Sequence, residues 1–171
     1  MKKPIRKWVI VAILILLIAY SAFATYNWLE GERIENRTLN DAVDLSDIPL
    51  WELSAMGFDV EYLIESDATD ELLGERITRY FFHAITLSHS SSILHTLTND
   101  EKYWLFERAM YNLNRFLAGI NNRPNMKEIL TTNLDALKQM DDILEEILRI
   151  NNLTLIDAEK FLQLSGNLTA G

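Results

Sequence analysis

Three histidines, His83, His89 and His95, recur at intervals of six residues, and imidazole is the side chain best suited to ligate a metal or move a proton near neutral pH. Six residues rotate a helix by about 600°, or 240° net, so successive rings on one helix face different directions. One helix cannot gather them. The pair spacings that build metal sites in helical bundles are also missing: there is no His-x-x-x-His, and positions 80, 86 and 92, where a Glu-x-x-His pair needs its acid, hold Tyr80, Thr86 and Ser92. The histidines therefore read as surface or packing residues, with no metal and no cofactor expected.

Serine and histidine come together in Ser88-His89-Ser90-Ser91-Ser92, but neighbouring residues on a helix diverge and cannot act as nucleophile and base. No Gly-x-Ser-x-Gly elbow is present. A different geometry is available, because Ala84, Ser88 and Ser92 recur every four residues and form a row of small side chains against which another helix can come close. Ser91 stands beside that row on an otherwise apolar seam, where a buried hydroxyl needs a partner. Ala84, Ser88, Ser91 and Ser92 thus mark a candidate packing or ligand notch.

Acidic residues repeat as Asp41, Asp44 and Asp47, then as Glu65, Asp67, Asp70 and Glu71, without the alternate-residue spacing and glycine of a calcium loop. They read as helix caps and solvated surface. Asn36, Asn152 and Asn167 each begin an Asn-x-Thr sequon and are candidate glycosylation sites on an exported chain. Asn133 interrupts an apolar seam, the usual mark of a register-setting polar residue.

The chain has no cysteine, which excludes disulfides, thiolate metal sites and thiol catalysis. Its charge is uneven: residues 30–75 hold fourteen acids against Arg33 and Arg37, whereas residues 76–171 hold eleven acids and ten bases. Such a field argues against nucleic acid and favours a cation or a basic surface at the acidic segment 30–75. With no nucleophile, acid and base pair or phosphate loop in view, an enzyme is not expected.

The elements that would position these residues begin with Trp8 to Trp28, an uncharged run with Lys2, Lys3, Arg6 and Lys7 before it and Glu30 and Glu32 after it. About 20 apolar residues match a bilayer core, and the basic flank predicts a cytoplasmic N-terminus. Hydropathy thus predicts a transmembrane signal-anchor over residues 8–28 behind a basic tail, 1–7. The alternative is a secretory signal cleaved after Ala24. Residues 29–69 read as an acidic juxtamembrane stalk with a short helix over Pro49 to Met56 stopped by Gly57, and a less defined piece over Val60 to Glu65.

Beyond Asp70 the spacing is strongly helical. Leu73, Ile77, Tyr80, Ala84, Leu87, Ser91 and Leu94 alternate steps of four and three, a coiled-coil-like seam. Thr98 with Glu101 predicts a capping box. A second seam follows in Phe106, Met110, Leu113, Leu117 and Ile120, and a third in Met126, Leu130, Asn133, Leu137, Met140, Leu144 and Ile147. Thr154 with Asp157 suits another capping box, opening a short helix to Leu164.

The expectation is an all-α chain: a transmembrane helix, then an antiparallel bundle over residues 70–166 of three long helices plus short ones, and a tail, 167–171. Its first functional reading is a single-pass membrane protein whose extracytoplasmic bundle serves as an interaction, accessory or scaffold component of a membrane complex, through a protein partner or self-association. The alternative reading is an extracytoplasmic ligand-sensing or binding domain with a pocket between helices near Ala84, Ser88 and Ser92.

Overall fold

The computed structural model describes the backbone of residues 4–121 and 123–169 and the side chains of residues 15–121 and 123–169. It is all α-helical, with six helices: α1 (Pro4–Leu53), α2 (Met56–Glu65), α3 (Asp70–Thr98), α4 (Glu101–Ile120), α5 (Met126–Ile150) and α6 (Leu155–Asn167). The chain divides into two compact units, Met1–Asn40 and Asp41–Gly171.

In the first unit the described side chains from Ile15 to Leu29 are exposed. The membrane span expected over Trp8 to Trp28 is corrected here: among the described residues no helix is long and apolar enough to cross a membrane. Past Trp28 the helix does not stop but continues through Glu30 and Glu32 to Leu53. Side chains of residues 8–14, the rest of that expectation, lie outside those described. The single-pass topology, the membrane as a partner, the extracytoplasmic placement and the role as an accessory part of a membrane complex rest on that span and are withdrawn with it, whereas the secreted alternative rests on cleavage after Ala24.

The second unit contains the core. Every position of the three predicted seams is buried, from Leu73 to Leu94 on α3, Phe106 to Ile120 on α4 and Met126 to Ile147 on α5. Large side chains buried at such positions stabilise the fold by about 1.5–3 kcal/mol each. The last turns of α1 supply a further seam, since Ala42, Pro49 and Leu53 are buried and Ser46 half-buried at steps of four, three and four. Pro49 thus lies inside α1 rather than opening a separate helix over Pro49 to Met56. It removes one N–H from the helical ladder, but its ring belongs to the buried face.

Consecutive helices do not all pair. The main contacts run α3 with α4, α4 with α6, α6 with α5, and α5 with α2, and α2 returns to α3. The α3 and α4 helices are antiparallel: Asn121 Nδ2 donates to Thr78 Oγ1 at 3.0 Å, and Ser88 Oγ reaches the Glu107 carbonyl at 3.5 Å nearer the connection. The α2 and α5 helices are also antiparallel, with Lys138 paired to Glu61 at 2.6 Å and Lys127 to Asp67 at 3.2 Å. α6 runs parallel to α4, with Phe161 meeting Phe106 edge to face at 5.5 Å between ring centres and Ser165 near Asn112.

Two local details differ from the sequence reading. α4 is capped by Asp100, whose carboxylate accepts from the Lys102 amide at 3.1 Å, while the Thr98 hydroxyl donates back to the Leu94 carbonyl. Asn99 adopts φ 53° and ends α3, so the chain reverses before Thr98 can serve as a cap. Gly57 does not end a helix but sits in the first turn of α2, and a methyl group there would stand 2.6 Å from the Lys138 amide nitrogen. Its missing Cβ permits the close approach of α2 and α5.

Candidate ligand pocket

Ser91 is the link between the predicted notch and the observed geometry. It lies on the buried face of α3 and is only 4 % exposed, yet its hydroxyl makes no hydrogen bond among the described residues. It lines a pocket of about 140 Å³ in the second unit, walled by the last turns of α1, by α3 and α4, and by the C-terminal end of α5 with the turn after it. Of the other predicted residues, Ala84 is fully buried in the core, Ser88 faces the Glu107 carbonyl of α4, and Ser92 is half-buried; the pocket draws in Ser91 and leaves these three outside its lining.

The apolar wall is formed by Leu87 and Leu94 on α3, Phe106 on α4, Ile147 on α5 and Leu153 beyond it, with Val43 and Leu50 on α1. Its polar groups are Ser46, Asp47, Tyr103, Asn151 and Asn152, besides Ser91. The Ser46 hydroxyl hydrogen is committed to the Ala42 carbonyl at 2.8 Å, so toward a ligand this oxygen can only accept. Asp47 is the single charged residue of the lining. Asn151, at φ 49°, ends α5, its amide and that of Asn152 both turned back to the Ile147 carbonyl. Lys102 stacks over the Tyr103 ring at 5.0 Å, but its charge is met by Asp100 at 3.4 Å.

The histidines are dispersed. His83 is half-buried, with a buried Nε2 that has no partner, and burial lowers its pKa against the opposing pull of Glu52. His89 is exposed, and His95 Nδ1 lies 3.1 Å from the Asp100 carbonyl. The sequon residues Asn36, Asn152 and Asn167 are all exposed. Asn133 is buried, and its carboxamide is fully engaged: Nδ2 donates to the Ile129 and Thr169 carbonyls at 2.7 and 2.9 Å, and Oδ1 accepts from the Thr169 amide at 3.0 Å. It fastens the C-terminal tail to α5.

A second polar centre is built by a residue that the sequence reading does not single out. Asp141 on α5 is 1 % exposed, and its Oδ2 accepts from the amides of Gly57 at 2.7 Å and Phe58 at 3.1 Å. Those are the open N–H groups of α2, whose own cap position is Ala55 and supplies no side-chain bond. Oδ1 is buried without a partner. Burial raises the Asp141 pKa to about 7, against the lowering effect of the two amides. Asp59 lies close by, accepting from the Tyr80 hydroxyl at 2.7 Å. The sequence signal was an acid directly beside seam residue Met140, on the buried side of a helix that otherwise keeps its charges outside.

Asp141 is therefore a structural cap, whereas the pocket beside Ser91 presents both apolar and polar walls. Comparison with protein-family models, with curated proteins and with solved structures finds no significant match to this chain.

Proposed function

We propose that the helical unit over residues 41–171 is a binding domain that holds one small amphipathic molecule in the pocket beside Ser91, without changing it chemically. The observation that carries this reading is Ser91, a residue only 4 % exposed that lines the pocket and whose hydroxyl has no protein partner among the described residues. With no protein partner, that hydroxyl can bond a ligand in the pocket in place of water. The pocket of about 140 Å³ is half-open, with Val43, Asp47, Asn151 and Asn152 exposed, and has room for a single ring. Mixed lining, largely apolar with a few convergent polar groups, is the usual make-up of a small-molecule site.

Thermal melts of the full chain with single-ring probes test the reading. Benzyl alcohol at a concentration well above its Kd should raise the midpoint, because a ligand that binds only the folded state stabilises it by mass action. Ser46→Leu, which places a larger side chain into the pocket from a half-buried position on the inner face of α1, should abolish that rise while leaving the circular dichroism spectrum helical. A midpoint unmoved by aromatic and aliphatic probes alike would remove the pocket as a binding site.

A further inference from the structure

We infer that the molecule held beside Ser91 is a small organic ammonium, an amine cation on a short apolar body; this rests on the binding reading above and adds the charge of the ligand. Three features of the pocket converge on it. The α1 wall offers acceptors and no donor, because Asp47 is a carboxylate and the Ser46 hydrogen is already given to the Ala42 carbonyl. A ligand group facing that wall must donate.

The second feature is the end of α5. Ile147, Asn151 and Asn152 bring the C-terminus of a 25-residue helix to the pocket, and the C-terminal end of a helix carries partial negative charge that favours a cation. The one basic residue in the last turn, Arg149, is paired with Glu146 at 2.5 Å and is not part of the lining.

The third is charge balance. Asp47 is the only formal charge in the lining, Asp41 and Asp44 stand on the same helix, and no lysine or arginine occurs between residues 41 and 75. An anionic ligand would meet a carboxylate with no counter-charge. A neutral one would leave Asp47 unused. The apolar body would lie against Leu87, Leu94, Phe106 and Ile147, with the Ser91 hydroxyl within the same cavity as the polar contact on the α3 side.

Isothermal titration of the full chain with benzylamine, benzyl alcohol and benzoate, matched in size and different in charge, decides the matter. Benzylamine should bind at least about fivefold more tightly than benzyl alcohol, from one exposed carboxylate and one helix end, with benzoate the weakest. That preference should shrink in 1 M salt and disappear in Asp47→Asn, an exposed position at which the fold is not at stake. Equal binding of the amine and the alcohol, or a preference that survives in Asp47→Asn, would overturn the ammonium assignment and leave the pocket standing. If none of the three probes binds, the binding reading falls, and the ammonium with it.

Discussion

The Asp141 carboxylate ties two distant segments together by doing for α2 what an N-cap residue normally does from the adjacent position, across 84 residues of chain. The pH dependence follows from its pKa, raised by burial from 3.8 to about 7 in the folded chain. Between those values the folded state holds a proton that the unfolded chain has released, so the Asp141 contribution to stability is greatest below about pH 4, declines as pH rises toward 7, and flattens above it. Each pKa unit corresponds to about 1.4 kcal/mol, so Asp141→Asn, which cannot ionise, should gain on the parent by a few kcal/mol between pH 4 and pH 8 in paired urea melts. A constant difference over that range would show that Asp141 does not titrate in the folded chain. Asp141→Ala should be worse than the parent at every pH, since it strands two amides of α2. Gly57 belongs to the same junction. Gly57→Ala would drive a methyl group into the α5 backbone and should cost about 1–3 kcal/mol, the usual penalty of overpacking. Gly57 near a predicted helix end resembles a stop, and the position of Asp141 beside seam residue Met140 marks it as an unusual acid without showing which helix it caps.

Among the elements, α3, α4 and α5 were readable because their apolar residues keep steps of four and three throughout, and each of those positions is buried. Leu137 is the case to test. It is fully buried at the α2 crossing, and Leu137→Ala should cost about 2–5 kcal/mol through the cavity that it leaves; an unchanged urea midpoint would contradict that burial. The end of α1 was harder to read, because three of the four positions on its inner face, Ala42, Ser46 and Pro49, are two small residues and a proline, and Leu53 alone among them is large and apolar. Small residues carry little hydropathy, yet they let a helix come close. The pocket was half legible for a related reason: the serine row pointed to α3, and Ser91 was marked as the hydroxyl in need of a partner. Asp47, Asn151 and Asn152 were noticed only as an acidic repeat, a helix break and a sequon, since nothing local shows that they meet in space.

On the scale of the whole chain, local periodicity identifies helices but not their neighbours. Hydropathy alone reads Trp8 to Trp28 as a span, whereas the structure continues that helix through charged turns to Leu53. Short connections suggest that α4 and α5 pack directly, but α6 lies between them in the packing order, and its Ala158 and Phe161 are fully buried. The order α3, α4, α6, α5, α2 makes α6 the bridge between the α3 and α4 pair and the α2 and α5 pair. Asn133 reinforces that bridge by holding the tail after α6 through two hydrogen bonds with Thr169, one donated and one accepted by its carboxamide. A chain ending at Asn151 would retain all three long helices and their seams, and if those helices sufficed it would still melt cooperatively. The packing order requires the opposite. Truncation after Asn151 should leave the Phe106 face of α4 and the Asn133 face of α5 open to water, and calorimetry should then show a broad transition without a cooperative peak. A sharp transition near the parent midpoint would show that α4 and α5 can close on each other without α6.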